Sequence, residues 1–266
     1  MRENEASLSF ERDMAAAREA QAVWGETPYR ERAGRIREAL RYLGRRIDQV
    51  VETIHRENGK LELDALAAEV LPALMAGGYY IRKGKNFLAP RPIRGGNPLM
   101  FNKRSRLIYR PYGVIGIISP WNYPFAIPFS EAVMALLAGN AVFLKVASDT
   151  LAVGRLLKEL FSPLPPHVFN YFEMPGREAG PALIKAGVDK LCFTGSTAVG
   201  RELMSLAAPR LLPLVLELGG ADAAIVREDA DLDRAVAGIV WAGFSNAGQS
   251  CGGVQRVLVH QAVYRP

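Results

Sequence analysis

The feature that most constrains the fold of this chain is an alternation of short apolar segments with helical ones after Pro111. The first segment, residues 113–118, contains no charged side chain, which is typical of a strand buried on both faces. Four further, mostly apolar segments follow, separated by helical periodicity: 141–145, 168–172, 190–194 and 214–218. Short links between such units predict an α/β fold, a doubly wound, parallel, Rossmann-like sheet with right-handed crossovers. Since such sheets bind ligands outside the carboxyl ends of their strands, we expect the functional residues there.

The N-terminal part of the chain has the pattern of helices, over residues 9–85. Apolar side chains three and four residues apart predict one long amphipathic helix, with Pro28 in its first turn and Gly59 at its end. Another helix is expected over about 62–85. Prolines and glycines then punctuate residues 90–112, which predicts an extended hairpin before the sheet begins.

Composition indicates a globular protein with a sizeable core, since 49% of the 266 residues are apolar and 23% are charged. No apolar run is long enough to cross a membrane, and the charged N-terminus lacks the apolar core of a secretion signal. We therefore expect a cytoplasmic protein without a membrane partner. Two distant cysteines, Cys192 and Cys251, exclude a disulfide framework, and three scattered histidines give little support to a zinc site.

One basic segment stands out in a chain of net charge +6. Nine arginines and lysines, and no acidic residue, occur between positions 82 and 110. Such a segment is compatible with nucleic-acid binding, but nothing in it resembles a module that reads bases. We favour a solvated or subunit-facing segment and expect no nucleic-acid partner.

Candidate functional residues cluster where the predicted strands end. The first strand leads into Pro-Trp-Asn-Tyr-Pro (120–124), the second into Lys-Val-Ala-Ser (145–148) and the fifth into Glu-Leu-Gly-Gly (217–220). The fourth leads into Gly-Ser-Thr-Ala-Val-Gly (195–200), which opens a helix. Glycines permit a tight turn, and free N–H groups at a helix N-terminus attract a phosphate, although such a start is as often only a helix cap.

Three side chains in these segments are candidates for chemistry. Cys251 lies in a glycine-rich loop, which leaves its thiol accessible to a small ligand, whereas Cys192, in mid-strand, is expected to be a buried apolar residue. By residue type alone, Glu217 is either an exposed carboxylate or a general base. Asn122 is likewise either a turn residue or an amide that donates to an oxyanion.

The order and spacing of these motifs make their combination specific. Pro-Trp-Asn-Tyr-Pro, Lys145, Phe-Thr-Gly-Ser-Thr, Leu-Glu-Leu-Gly-Gly and Gly-Gln-Ser-Cys follow one another as in the aldehyde dehydrogenase superfamily, which the chain resembles over essentially its whole length. The resemblance implies an aldehyde substrate, which it does not name, and NAD or NADP as cofactor. It also implies that Cys251 attacks the aldehyde carbonyl, that Asn122 and the Cys251 N–H hold the oxyanion, and that Glu217 activates the hydrolytic water.

The resemblance assigns these residues to the cofactor: Ile118, Trp121, Lys145, Ser148, Gly195, Ser196 and Gly200. Lys145 would hold the adenosine ribose, and the glycine turn around Ser196 would meet the pyrophosphate. Where the family commonly has a ribose-binding acid this chain has Ser148, followed by Asp149. Loss of that carboxylate removes repulsion against a 2′-phosphate, so we expect NADP to be accepted, unless Asp149 takes the vacated role.

The resemblance implies a coenzyme-binding domain, residues 1–218, and the beginning of a catalytic domain, residues 219–266. Family members are typically nearly twice as long, so we expect a chain truncated after its catalytic cysteine. Homo-oligomers are usual in the family, but the strand that completes their interface is expected to be missing. An NAD(P)-dependent aldehyde dehydrogenase is therefore one interpretation. An impaired remnant that keeps only cofactor binding or subunit contacts is the other.

Overall fold

A computed structural model describes residues 2–93 and 102–265, with the backbone alone for residues 2–9. Its N-terminal part forms these helices: Arg2–Glu26 (α1), Tyr29–Gly44 (α2), Ile47–Asn58 (α3), Glu62–Ala65 (α4) and Leu71–Phe87 (α5). A π-helical turn, Leu66–Val70, joins α4 to α5. Within the described ranges, no helix is both long and apolar enough to cross a membrane.

The prediction of one long helix from Pro28 to Gly59 is wrong, because the structure contains two helices there. α2 ends at Gly44, a residue of low helix propensity, and α3 begins at Ile47. Pro28 is the N-cap of α2 rather than a first-turn residue, whereas Gly59, at φ 71°, ends α3 as expected. The break lets both helices bury their apolar sides in one core: Ile36 and Leu43 of α2, Val50 and Ile54 of α3.

The predicted hairpin is present in the part that the structure describes. Arg91–Ile93 (β1) and Ser105–Leu107 (β2) pair antiparallel, with Arg91 opposite Leu107 and Ile93 opposite Ser105. Both strands are exposed along their length. Residues 94–101, between them, lie outside the described residues.

The central sheet is parallel and has the spatial order β5-β4-β3-β6-β7. Its strands are Val114–Ile118 (β3), Ala141–Lys145 (β4), Phe169–Tyr171 (β5), Lys190–Gly195 (β6) and Leu214–Leu218 (β7). The helices between them are Ala126–Leu137 (α6), Leu151–Leu160 (α7), Gly176–Ala186 (α8) and Thr197–Ala207 (α9). The doubly wound α/β sheet is therefore confirmed, and each predicted strand lies within one residue of its observed position.

Helices cover both faces of this sheet, and successive side chains alternate between two cores. Ile115 and Ile117 of β3 lie in the core shared with α2, α3, α6 and α7. Val114 and Ile118 lie in the opposite core, with α8 and α9. Every residue of β3 and β4 is buried, so only the strand ends are open to a ligand.

A long-range contact fastens α1 to this sheet. Arg18 pairs with Asp189, just before β6, with Nη1 3.0 Å from Oδ2, and it also donates to the carbonyl oxygen of Gly187. Asp189 in turn accepts a hydrogen bond of 2.7 Å from the Val114 N–H at the start of β3. The first helix of the chain is thereby tied to two central strands.

A smaller parallel sheet lies beyond the central one. Asp222–Val226 (β8) pairs with Val254–Val259 (β9), and Leu232–Phe244 (α10) connects them along the chain. No α10 side chain is buried, and Trp241 and Phe244 are each 75% exposed. Among the described residues, nothing covers this apolar side of α10.

Candidate active site

A cavity of about 530 Å³ lies at the carboxyl edge of the central sheet, where β3, β4, β6 and β7 end. Most of the residues singled out in the sequence lie in its wall: Ile118, Trp121, Asn122, Lys145, Ser148, Gly195, Ser196, Glu217 and Cys251. The topology explains this convergence, because parallel strands bring their carboxyl ends to one edge of a sheet. Residues far apart in the chain therefore share one cavity.

Gly200 is the exception, because it lies in α9 and not in the cavity wall. A Cβ atom at this position would come within 2.8 Å of Leu218 Cδ2, so the glycine lets α9 pack closely on β7. Its effect on the cavity is indirect, through the position of the helix start. Phe193, the first residue of the Phe-Thr-Gly-Ser-Thr motif, also lines the cavity, and so does Gly176, which has no side chain that would have marked it in the sequence.

Lys145 ends β4 and is only 4% exposed. Burial lowers the pKa of its ammonium, and the Asp149 carboxylate opposes that change. At the start of α8, Gly176 leaves room beside it, since a Cβ atom there would lie 3.5 Å from Nζ. The cavity wall thus contains a buried cation with three N–H donors, which suits hydroxyl and phosphate oxygens.

Ser196 caps the N-terminus of α9, which is compatible with both interpretations of the Gly-Ser-Thr turn. Its hydroxyl oxygen accepts a hydrogen bond from the Val199 N–H at 3.4 Å. A helix start has several N–H groups without partners inside the helix, and this side chain satisfies one of them. The first turn of α9 therefore keeps further donors at the cavity edge.

Asn122 is held from several sides. Its side-chain amide donates to the carbonyl oxygen of Gln249 at 2.8 Å, in the segment that leads to Cys251. Its backbone carbonyl oxygen accepts hydrogen bonds from Lys60 Nζ at 2.9 Å and from Asn246 Nδ2 at 3.1 Å. Because a side-chain amide carries two N–H donors, one remains for a ligand. The structure therefore connects the Asn122 loop directly to the cysteine loop.

Cys251 is exposed and follows a kinked segment of the chain. Asn246 and Ala247 have φ values of 54° and 56°, in the left-handed region that non-glycine residues rarely adopt. Strained backbone of this kind concentrates at functional sites. Cys192 is different, because burial and the nearby Glu131 raise the pKa of its thiol to about 11.

Glu217 lies one residue before the end of β7, opposite Thr194 of β6, and its side chain is exposed in the cavity wall. Its exposure leaves the carboxylate accessible to water. Within the described part of the chain, no group of three His, Cys, Asp or Glu side chains could hold a metal ion. Besides the hydroxyl groups of its serines and Thr194, the cavity wall thus contains a thiol, an amide, an ammonium and the carboxylates of Glu217 and Asp149.

The sequence profile of the Aldehyde dehydrogenase family matches residues 3–266. The chain belongs to this family. The resemblance inferred from the motifs is therefore confirmed for the family itself.

Relatives of this family member include the 4,4'-diapolycopene aldehyde oxidase of a Methylomonas species, 38% identical over 257 residues. A putative NADP(+) succinate-semialdehyde dehydrogenase of Mycolicibacterium smegmatis is 38% identical over 253 residues. These matches cover 96% and 94% of this chain but 48% of each relative, so the chain spans about half the length of the curated relatives it matches. Among solved structures, an NADP-dependent enzyme of E. coli superposes with a TM-score of 0.90 at 34% identity, over 97% of this chain and 53% of that one.

Three buried charged side chains of this family member were missed in the sequence. Lys60 and Glu69 form an ion pair with side chains that are 1% and 0% exposed. Glu131, in α6, is also largely buried, and burial together with the charge of Glu217 raises its pKa to about 7. Charged residues of amphipathic helices normally face solvent, so their periodicity gave no reason to single these out.

Proposed function

We propose that this chain takes part in the oxidation of an aldehyde to a carboxylic acid with NAD or NADP as hydride acceptor. The observation that carries the proposal is the convergence of Cys251, Glu217 and Asn122 in one cavity wall with Lys145 and Ser196. Thiol, carboxylate and amide supply the nucleophile, the base and the oxyanion donor of this reaction. The Lys145 ammonium and the N-terminus of α9 at Ser196 supply partners for the hydroxyl and phosphate groups of a dinucleotide.

The chain is proposed to divide at residue 218. Residues 1–218 would form the coenzyme-binding part, since they build the central sheet with its strand ends at the cavity. Residues 219–266 would open the catalytic part, because β8 and β9 pair with each other and not with the central sheet. The cavity lies between these parts, with Cys251 contributed by the second.

The donors of the cavity fit a dinucleotide. Lys145 would hold the adenosine ribose, and the turn of Gly195 and Ser196 would meet the pyrophosphate, where free N–H groups and the helix dipole favour negative charge. Ile118 and Trp121 would line the cleft as its apolar wall. When bound, NAD or NADP would supply the acceptor for the hydride.

The proposed chemistry of the protein groups has two stages. The Cys251 thiolate attacks the aldehyde carbonyl carbon to give a thiohemiacetal, whose oxyanion is held by Asn122 Nδ2 and the Cys251 N–H. After hydride loss the acid remains bound to sulfur as a thioester. Glu217 then takes a proton from a water molecule, which attacks the thioester carbonyl and releases the acid with the Cys251 sulfur as leaving group.

A second candidate function is cofactor binding without turnover. It is favoured by α10, which precedes the cysteine loop and has no buried side chain, so few packing contacts fix the position of Cys251. A misplacement of about 1 Å is enough to lower a rate by about 100-fold. The cofactor residues lie instead on the buried central sheet, at the ends of β3, β4 and β6.

The two candidates are separated by measuring binding and turnover on the same purified chain. Calorimetry with NAD and NADP reports binding, and the reduction of NAD(P) with aliphatic and aromatic aldehydes reports turnover, with Cys251→Ala as the blank. Turnover that depends on Cys251 supports the dehydrogenase. Binding without turnover supports the second candidate. The absence of both binding and turnover contradicts both candidate functions.

A further inference from the structure

Three buried side-chain oxygens among the described residues have no hydrogen-bond partner: Ser119 Oγ, Glu131 Oε2 and Thr194 Oγ1. Buried polar atoms are nearly always hydrogen-bonded, so each exception indicates a water, an ion or a functional group that completes the site. These three belong to different elements, since Ser119 follows β3, Glu131 lies in α6 and Thr194 lies in β6.

The strand register brings two of these atoms, Ser119 Oγ and Thr194 Oγ1, to one side of the sheet. Ile117 of β3 is paired with Cys192 of β6, and both pack in the core that contains α6. Side chains two residues further along a strand point to the same face, which places Ser119 and Thr194 on the α6 side of the sheet at its carboxyl edge. Glu217 is paired with Thr194 and points to that side too, because its neighbours Leu216 and Leu218 pack in the opposite core.

Glu131 approaches this edge from α6. Burial first and the charge of Glu217 second raise the pKa of its carboxyl, and Glu131 in turn contributes to the raised pKa of Cys192 in β6. Lys190 lies on the same face of β6 as Cys192, but at the amino end of the strand, with Nζ 4.9 Å from the centre of the Tyr112 ring. The charged groups at the two ends of α6 have partners of their own. Glu69 is paired with Lys60 at the start of the helix, and Arg32 donates to the Leu137 carbonyl oxygen at its far end.

The inference rests on the proposed role of Glu217 as the base. We propose that Glu131 and Glu217 form a proton-sharing carboxyl pair, bridged by water in the gap lined by the Ser119 and Thr194 hydroxyl groups, with the shared proton on Glu131. Two carboxyl groups without a cation between them cannot both ionise at low cost, so one keeps its proton. The exposed member, Glu217, is the one that water stabilises as an anion.

Glu131 acts through Glu217 and is therefore a positioning residue. Its O–H group donates toward the bridging water, which in turn donates to the Glu217 carboxylate and orients it. The proton that Glu217 takes from the attacking water leaves to solvent through the open side of the cavity, and Glu131 keeps its own. Above neutrality Glu131 also ionises, and the repulsion between the two carboxylates appears.

Infrared difference spectroscopy tests the pair without any need for turnover. Below neutrality, the spectrum of the unmodified chain minus that of Glu131→Gln is expected to show the carbonyl stretch of a protonated carboxyl group. The band should disappear with a midpoint near the pKa of about 7, and in Glu217→Gln the midpoint should move to lower pH. Glu202→Gln, an exposed site on α9, is the matched control and should leave the band unchanged.

Two results would overturn the proposal. One is the absence of the band at every pH, which would mean that Glu131 is ionised. The other is a midpoint that Glu217→Gln does not move, which would mean that the two groups do not interact.

If the chain turns over aldehydes, Glu131→Gln should also remove the step near neutrality from the pH profile of kcat, and Glu131→Asp should restore it. A purely structural role would lower stability and leave that profile unchanged. Failure of turnover alone contradicts the proposed function and leaves the infrared test intact.

Discussion

The Lys60 ammonium connects the buried Glu69 carboxylate to the loop of Asn122. It pairs with Glu69 Oε1 and donates to the Asn122 carbonyl oxygen at 2.9 Å. Glu69 Oε2 accepts hydrogen bonds from the Phe125 and Ala126 N–H groups at 2.8 and 3.1 Å. The π-helical turn that contains Glu69 therefore fixes the chain on both sides of residues 123–124.

Removing one member of this pair should be costly. Glu69→Gln leaves the Lys60 charge buried without a counter-ion, and the free energy of unfolding is expected to fall by about 3–5 kcal/mol. Denaturant unfolding measures the effect. The matched control is Glu159→Gln, which breaks the more exposed pair with Arg46 and should cost less than about 1 kcal/mol. Equal losses of unfolding free energy in the two variants would show that the buried pair contributes no more to stability than the exposed one.

The two cysteines should differ in reactivity. Cys251 is exposed, whereas the pKa of Cys192 is raised to about 11, so almost no Cys192 thiolate exists near neutral pH. Limited alkylation followed by mass spectrometry should label Cys251 first, and Cys251→Ala should abolish the rapid phase. Preferential labelling of Cys192 would contradict the assignment of Cys251 as the nucleophile.

Gly200 should accept a methyl group only if Leu218 moves. In Gly200→Ala the new methyl group would lie 2.8 Å from Leu218 Cδ2, the end of a flexible side chain. The displacement of Leu218 should cancel the gain in helix propensity of about 1 kcal/mol, so we expect little net change in stability together with weaker dinucleotide binding. Gly34→Ala is the control, because a Cβ atom at that helical position would meet nothing within 4 Å and the variant should gain up to about 1 kcal/mol. Thermal unfolding and calorimetry report the two effects. A Gly200→Ala chain that gains as much stability as Gly34→Ala would exclude close packing of α9 on β7.

Stability should depend on pH through Glu131. Its pKa is about 7 in the folded protein against 4.5 for an ordinary glutamate, so the unfolded chain ionises first. The contribution of Glu131 to the free energy of unfolding is therefore fully present below about pH 4.5. It decreases as pH rises to about 7, by on the order of 3 kcal/mol. Glu131→Gln should lack this decrease and become more stable relative to the unmodified chain as pH rises. Parallel pH–stability curves for the two chains would contradict the raised pKa.

NADP should bind at least as tightly as NAD. Ser148 and Asp149 both line the cavity, and only the second carries a charge. Ser148→Glu places a carboxylate where the family commonly has one. Its repulsion of the 2′-phosphate should lower the affinity for NADP by about tenfold or more and leave the affinity for NAD nearly unchanged. Calorimetry with both nucleotides measures the difference. A strong preference for NAD that disappears in Asp149→Ala would show instead that Asp149 takes the role of the acid.

The strands were predictable because burial on both faces removes polar residues from a run of sequence, as in β3. The strand-end motifs could be placed together because parallel topology alone brings Lys145 and Glu217 to the same edge of the sheet. The break between α2 and α3 was not visible, because the apolar period continues across Gly44. Lys60, Glu69 and Glu131 were missed since their partners lie on other elements, and local sequence does not record tertiary contacts.

The tie between Arg18 and Asp189 has a consequence for synthesis on the ribosome. The two residues are 171 positions apart, so the first helix leaves the ribosome long before its partner exists. At roughly 5–20 residues per second, that interval is on the order of ten seconds or more. During it the apolar side of α1, with Met14 and Trp24, has no sheet to pack on. The nascent chain is then open to chaperones, since α1 can dock only after β6 has emerged, and the sheet is complete only after β7 has followed.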